Sequence, residues 1–365
     1  MMNRAADLPE IPLIDVGAAG AGALLAAAPA RARALLASAG RKYTPPAVRI
    51  GDAISRRWLD RHGNPYLAEI DAIAATMGEP GAHFLNVSYE WGCTGGVTPA
   101  PGGGCRLVRV LDWPFDGMGV NLVAARQAGP AGSWLNLTWP GFVGCIQGLA
   151  PGRFAAALNQ APMARPTRLL PLDWAIGRGR VWHRGGLPPA HLLRQVFETC
   201  TDYKAAKAML CGAPLALPAI FLLAGPEAGQ GCVIERQETR AAVLEQPASA
   251  ANHWQTAGWN GRPRGEDSRG RRRILAARLA GAGPDLDWLA PPVLNETTRL
   301  ALVAEPASGR LTARGFEATG PATALLRLGP GTHNHRAAPE SSGKTAGSIQ
   351  GKAPGKTLTG GAAPL

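Results

Sequence analysis

CTGGVTPAPGGGCRLVRVLD, residues 93–112, carries the strongest structural pattern in this sequence. Two apolar runs flank a turn rich in proline and glycine at 99–104, which predicts two strands joined by a hairpin. The pairing brings the thiol of Cys93 beside the guanidinium of Arg109 and the carboxylate of Asp112. A nearby cation favours the thiolate, which is the nucleophilic form of cysteine, and a carboxylate can orient an amine. The segment therefore predicts a nucleophile that attacks a carbonyl carbon.

Length, composition and cysteine usage indicate a globular protein. The chain has 365 residues, of which 46% are hydrophobic, so it can bury a large core in one domain or two. It contains no run of eighteen apolar residues, which argues against a membrane-spanning helix. Its six cysteines show no metal-ligand spacing, and the N-terminus, with an alanine-rich stretch interrupted by Pro29, does not resemble a secretory signal. We therefore expect a cytoplasmic protein with reduced thiols and without a metal.

The net charge of +12 raises the question of a nucleic-acid partner. The excess is local, because residues 262–278 hold seven arginines and the C-terminal tail adds several lysines. No helix-turn-helix, zinc or phosphate-loop pattern accompanies the charge. We therefore expect no nucleic-acid binding. Attraction to anionic membrane surfaces or acidic substrates is a better use of the charge.

The chain divides into three predicted regions. Helical patterns occupy much of residues 1–92, which are expected to form a pro-region; they lie at 18–38, 50–62 and 64–77. Residues 93–330 are expected to form the catalytic domain, in which antiparallel strands surround helices at 188–197, 201–211 and 267–280. The tail at 331–365 has no apolar period and is expected to be disordered. This order of elements favours an α+β layered sandwich.

Several further motifs follow in a recognisable order. They are Asn86-Val-Ser-Tyr-Glu90, Gly148-Leu-Ala-Pro-Gly152, Leu222-Leu-Ala-Gly225 and Pro292-Val-Leu-Asn295. Together with the region of Cys93, they resemble the N-terminal-nucleophile hydrolases of the choloylglycine hydrolase, acid ceramidase and N-acylethanolamine acid amidase type. The resemblance implies an αββα fold of two antiparallel sheets between helical layers. It also implies hydrolysis of linear amides without a metal or organic cofactor.

The same resemblance implies self-cleavage between Gly92 and Cys93. The released α-amino group would act as the base, since its ordinary pKa of about 7.7–8.0 suits proton transfer near neutral pH. Asn252 takes the position of the family's oxyanion donor, and Asp112 that of the carboxylate that orients the amine. The second arginine is Arg271, with Arg269 as the alternative, on a helix capped by residue 267 or 268.

The sequence also offers candidates for substrate binding. Four aromatic residues near the nucleophile either line an acyl pocket or belong to the core: Trp113, Trp134, Trp139 and Phe142. Asn159 is a further candidate. Gln160 stands where ceramidase-like sequences tend to carry glutamate, so the substrate need not be ceramide. Gly95 and Gly96 replace larger residues, which predicts a looser pocket floor.

We therefore expect a hydrolase acting on a small-molecule N-acyl amide. The first alternative is acyl transfer at the same site, as in the penicillin acyltransferases, with an amine replacing water. The second is a non-catalytic binding protein on the same fold. The acyl chain, the amine and the oligomeric state are left open by the sequence.

Overall fold

The structure, a computed structural model, describes residues 8–87 and 91–330. In these ranges the chain forms helices and strands whose bounds follow. The helices are α1 (Gly20–Ala27), α2 (Pro29–Lys42), α3 (Pro45–Arg61), α4 (Leu67–Met77), α5 (Ala82–Val87), α6 (Leu170–His183), α7 (Pro189–Thr199), α8 (Tyr203–Gly212) and α9 (Ser268–Arg278). The strands are β1 (Leu13–Gly17), β2 (Gly92–Pro99), β3 (Cys105–Asp112), β4 (Val123–Gly129), β5 (Gly132–Thr138), β6 (Gln147–Ala150), β7 (Phe154–Gln160), β8 (Ala219–Ala224), β9 (Gly231–Arg236), β10 (Ala241–Glu245), β11 (Ala248–Ala250), β12 (Thr298–Glu305), β13 (Arg310–Glu317), β14 (Gly320–Pro321) and β15 (Leu326–Leu328).

The strands form two sheets, which confirms the predicted α+β sandwich. The first has the order β1-β4-β5-β6-β7-β8-β9-β10, and the second has the order β11-β2-β3-β12-β13-β14, with β15 beside β13. Neighbouring strands are antiparallel except for β1 and β4, which are parallel. The first sheet is therefore mixed, and the expectation of two wholly antiparallel sheets is wrong at this one edge.

Strand β3 is buried on both faces because it lies between the other sheet and a helix. Leu107 and Leu111 belong to the core between the two sheets, whereas Val108 and Val110 pack in a separate cluster with Leu275 of α9. Side chains alternate between the faces of a strand. Residues 93 and 109, which are both odd-numbered on paired strands, consequently share the face between the sheets.

Helices cover the outer faces of both sheets. Val196 and Phe197 of α7 join the core beside the first sheet, and α9 covers the second sheet. The helices before β2 form their own apolar cluster, which includes Trp58, Ile70 and Ile73. No helix of the described residues has the length and apolar character needed to cross a membrane. All six cysteines lie in the described ranges, and each is an unpaired thiol.

Two local expectations need correction, and two others are not tested by the structure. The single helix expected over 18–38 is two helices, α1 and α2, because Pro29 starts a new helix where it cannot continue the first. Helix α6 lies in a region for which the sequence had suggested no helix. The predicted disordered tail at 331–365 falls outside the described residues, and the division of the chain at residue 92 stays a prediction.

The expected looser pocket floor at the two glycines is wrong. A Cβ atom on Gly95 would lie 2.8 Å from Leu222 Cδ2 and 2.9 Å from the carbonyl oxygen of Val108. A Cβ atom on Gly96 would lie 2.8 Å from Leu279 Cδ1. Larger side chains from the neighbouring layers already fill the space, so these glycines allow close packing of the layers.

Gly95→Ala is therefore expected to destabilise the fold by about 1–3 kcal/mol, because the added methyl group overpacks a rigid site. Chemical denaturation followed by circular dichroism measures this change. Gly40→Ala is the matched control, since nothing lies within 4 Å of a Cβ atom at that helical position. The control should gain about 0.5–1 kcal/mol. Equal shifts in the two variants would contradict the packing argument.

Candidate active site

Cys93 is the second residue of β2 and is fully buried, with 0% of its surface exposed. Its backbone nitrogen donates a hydrogen bond of 2.7 Å to Asn252 Oδ1. Its thiol sulfur lies 3.0 Å from Arg109 Nη2. The structure thus brings together three residues that the sequence had suggested for the site.

Arg109 reaches the thiol because of the strand register. Gly95 lies opposite Arg109, and Cys93 lies opposite Leu111, so the arginine is the diagonal neighbour of the cysteine on the same face. Its guanidinium also donates to the carbonyl oxygens of Leu158, at 2.5 Å, and Ile146, at 3.1 Å. These bonds to the first sheet hold the cation at one place beside the sulfur.

Burial and the cation act on the thiol in opposite directions. Desolvation raises the pKa of Cys93, while the charge and hydrogen bond of Arg109 lower it, and burial has the larger effect. In the uncut chain the pKa of the thiol therefore lies above its ordinary value. The neighbouring cation was expected to favour the thiolate of Cys93. This expectation is wrong for the buried thiol, because desolvation outweighs the effect of Arg109.

Asp112 lies on the other side of the nucleophile's backbone. It is three residues from Arg109 on one strand, so the two side chains point to opposite faces. Its carboxylate accepts hydrogen bonds from Arg271 Nη1 at 3.0 Å and from Thr298 Oγ1 at 2.9 Å. Burial raises the pKa of Asp112 and Arg271 opposes the shift. In the uncut chain the backbone nitrogen of Cys93 donates to Asn252 rather than to this carboxylate.

Arg271 connects the separate parts of the site. Its Nη1 donates to the carbonyl oxygen of Cys93 at 2.8 Å and to Thr94 Oγ1 at 2.6 Å, besides Asp112. Its Nη2 donates to Asn252 Oδ1 at 3.1 Å. Arg269, the alternative from sequence, is exposed on the same helix. The helix therefore directs Arg271, and not Arg269, toward Cys93.

Asn252 uses both ends of its side-chain amide. Besides accepting from Cys93, it donates from Nδ2 to the carbonyl oxygen of Gln160 at 2.8 Å. Its backbone nitrogen donates to Ser268 Oγ at 2.8 Å, and that hydroxyl lies 2.7 Å from His253 Nδ1. Helix α9 is capped by Asp267, whose carboxylate accepts from the backbone of Gly270.

A cavity of about 690 Å³ opens beside the nucleophile. Its volume lies in the usual range for sites that bind small molecules. Gly92, Asp112, Asn159 and Arg271 are on its wall. Cys93 is not on the wall, and Gly92 separates it from the cavity.

A second, smaller cavity of about 80 Å³ has an apolar lining that includes Trp113, Trp139 and Phe142. Trp113 contacts Trp91, with ring centroids 4.8 Å apart, and Trp91 lines the large cavity. Trp134, by contrast, lines neither cavity. It is buried and stacks on Phe197 at 4.6 Å, so its role is in the core.

Sequence reasoning missed two parts of the wall. Trp91 precedes the nucleophile and could have been found by its position alone. Helix α6 lines part of the large cavity, with Leu170 and Trp174 on its wall. Leu170, Leu172 and Trp174 are all exposed. Because these three apolar residues are exposed, helix α6 lacks the usual amphipathic pattern, and its sequence does not predict a helix.

The chain matches known proteins over part of its length. No protein-family model matches the chain. The chain is 29% identical over 198 residues to the acid ceramidase of Heterocephalus glaber, covering 49% of each chain. It is 31% identical over 117 residues to the acid ceramidase of Homo sapiens, covering 32% of this chain and 28% of that protein. The chain spans about half or less of the length of these curated relatives.

Two solved structures are each similar to 65% of this chain. An N-acylethanolamine-hydrolyzing acid amidase ortholog of Caenorhabditis elegans has a TM-score of 0.47 and 18% identity, over 65% of this chain and 100% of that chain. The penicillin V acylase of Agrobacterium tumefaciens has a TM-score of 0.41 and 15% identity, over 65% of this chain and 86% of that chain. The sequence matches therefore show similarity to acid ceramidases over part of this chain.

Replacing the cation beside the sulfur should change the titration of the thiol. In Arg109→Met the pH midpoint of Cys93 ionisation should move upward, because the variant loses the charge that lowers the pKa. Arg109→Lys should move it less, since a positive charge remains. The measurement is the ultraviolet absorbance of the thiolate against pH, taken as the difference between each protein and its Cys93→Ala form, because this readout needs no reagent to reach the buried sulfur. Arg126→Met serves as the control, because Arg126 contacts Asp15 instead. Superimposable profiles for wild type and Arg109→Met would refute the assignment.

Proposed function

We propose that this relative of acid ceramidase hydrolyses linear N-acyl amides, with Cys93 as an N-terminal nucleophile released by self-cleavage. One observation carries the proposal. Cys93 is fully buried behind Gly92, which is itself on the cavity wall, and the thiol sulfur lies 3.0 Å from Arg109 Nη2. Cutting the bond between residues 92 and 93 would supply an α-amino group and open the sulfur to the cavity.

Self-cleavage begins with attack of Cys93 Sγ on the carbonyl carbon of Gly92. The C–N bond breaks as the amide nitrogen takes up the thiol proton, which leaves a thioester between the two residues. Water then hydrolyses the thioester to a Gly92 carboxylate and a Cys93 with an α-amino group.

Hydrolysis of the substrate uses the new amine. The amine accepts the thiol proton, and the sulfur attacks the substrate carbonyl. We assign the second hydrogen of Asn252 Nδ2 as a donor to the developing oxyanion; loss of such a donor typically costs about 10²–10³ in rate. The C–N bond breaks as the leaving amine takes the proton, and water then releases the acid from the thioester. Arg271 holds the carbonyl oxygen of Cys93 during these steps, and Asp112 pairs with Arg271.

We assign the smaller cavity to the apolar end of the acyl group, because its lining is apolar. Trp139 donates its indole N–H to the carbonyl oxygen of Met118 at 2.7 Å, which leaves an apolar ring face for an alkyl chain. Trp91 is on the wall of the large cavity and contacts Trp113 on the wall of the smaller one. We propose that movement of these two rings joins the cavities. The amine part of the substrate, with Asn159 beside it, would occupy the large cavity.

Acyl transfer at the same site would differ from hydrolysis only in the molecule that accepts the acyl group from the thioester. A competing amine would yield a new amide in place of the free acid. Peripheral attraction to anionic surfaces and a cytoplasmic location stay predictions from the sequence.

Active protein is expected to be cut between Gly92 and Cys93, giving pieces that end at residue 92 and begin at residue 93. The pieces should stay together, because helices α1–α5 bury apolar residues against the rest of the fold. Intact-mass spectrometry and size-exclusion chromatography check both statements.

Cys93→Ala is the uncut control. Cys93→Ser should lose most hydrolysis of an N-acyl amide, because a hydroxyl is a much weaker nucleophile than a thiolate. Full activity in an uncut chain would overturn the mechanism, and unchanged activity of Cys93→Ser would remove the thiol from it.

Filling the smaller cavity should alter chain-length preference. Ala82 lies on its wall, so Ala82→Leu should lower kcat/KM for a hexadecanoyl amide about 10-fold or more, while a butanoyl amide is hydrolysed as before. Ala75→Leu, at an exposed position of α4, is the matched control. If both chain lengths lose activity equally in Ala82→Leu, the alkyl chain binds elsewhere.

A further inference from the structure

The hydroxyl of Ser268 joins the two ends of the long connection between Asn252 and helix α9. The two ends of this connection, Asn252 and Ser268, are sixteen residues apart, and no helix or strand lies between them. The backbone nitrogen of Asn252 donates to Ser268 Oγ at 2.8 Å, and the same oxygen lies 2.7 Å from His253 Nδ1. All three residues are buried.

The closure matters because each end of the connection carries a group that holds the nucleophile. Asn252 accepts the hydrogen bond from the backbone nitrogen of Cys93. Ser268 is the first residue of α9, and Arg271 follows one turn later and donates to the carbonyl oxygen of Cys93. Asn252 Oδ1 also accepts from Arg271 Nη2 at 3.1 Å, a contact that requires both ends to be correctly placed.

We propose that Ser268 and His253 are positioning residues for this site. Ser268 holds Asn252 and Arg271 at their relative positions around Cys93, and His253 fixes the direction of the Ser268 hydroxyl. The proposal rests on the function proposed above. It assigns His253 a contact with Ser268, and not the part of a base acting on the thiol.

The hydrogen-bonding capacity of the hydroxyl agrees with this assignment. A serine hydroxyl can accept from the Asn252 N–H and donate its own hydrogen to a neutral imidazole nitrogen. Burial lowers the pKa of His253 to about 4, and the neighbouring Arg269, Arg272 and Arg271 add to the shift. The imidazole is then neutral at neutral pH, and its Nδ1 can accept the hydrogen.

Ser268→Ala tests the role of the hydroxyl. The variant should retain its melting temperature within a few degrees and its KM within about twofold, whereas kcat should fall about 10- to 100-fold, as small displacements of reacting groups typically do. Ser268→Thr keeps the hydroxyl and should restore most of kcat. A Ser268→Ala enzyme with unchanged kcat, or one changed in KM alone, would overturn the proposal, as would a Ser268→Thr enzyme no better than Ser268→Ala.

A double-mutant cycle tests whether His253 acts through Ser268. His253→Phe should lower kcat, and the pair His253→Phe with Ser268→Ala should be no slower than Ser268→Ala alone, because both changes remove one interaction. A double variant that loses the product of the two single effects would show that His253 acts independently, which overturns its assigned role.

Hydrogen exchange separates failure of this proposal from failure of the proposed function. The backbone amide of Asn252 should exchange faster in Ser268→Ala than in wild type, whether or not the wild type hydrolyses an amide. If Ser268→Ala loses this protection while the wild type shows no amidase activity, the proposed function is refuted. The proposed contact between Ser268 and Asn252 is then still supported. Equal protection in the two proteins would overturn the proposed positioning itself.

Discussion

The buried guanidinium of Arg271 is the interaction on which the arrangement of the site depends. It joins the carbonyl oxygen of Cys93, the carboxylate of Asp112 and the amide oxygen of Asn252, which come from three separate segments. A buried charge without a partner is strongly unfavourable, and Asp112 supplies the opposite charge at 3.0 Å. The hydrogen bonds and the ion pair of this buried cation therefore fix the positions of β2, β3 and α9 around Cys93.

Burial also explains why the uncut chain is a precursor in the proposed mechanism. With 0% exposure, the thiol of Cys93 has a raised pKa despite the cation beside it, and Gly92 stands between it and the cavity. The same enclosure keeps the sulfur beside Arg109 and the backbone of Gly92. Proximity of this kind favours a reaction within the chain over one with a substrate in solvent.

Much of the core of this site could be predicted because it depends on local pairing. A proline- and glycine-rich turn sets the register of β2 and β3, and the register sets Arg109 diagonally opposite Cys93. Asp112 was harder, since its parity on the strand directs it to the other face, where its partner Arg271 comes from a helix 159 residues later. The role of Trp134 was also not predictable, because the sequence does not distinguish a tryptophan that stacks on Phe197 in the core from one that lines a pocket.

The sequence by itself predicted Cys93 as the candidate nucleophile with Arg109 beside it, and it predicted the layered α+β class, because each of these follows from short-range patterns or from ordered motifs. The tertiary structure alone decided which arginine of α9 reaches the site, that Ser268 joins Asn252 to that helix, and that desolvation outweighs the cation at the thiol. The physical reason is that burial and long-range contacts arise from the packing of whole layers. No local spacing in a sequence specifies how two such layers exclude water.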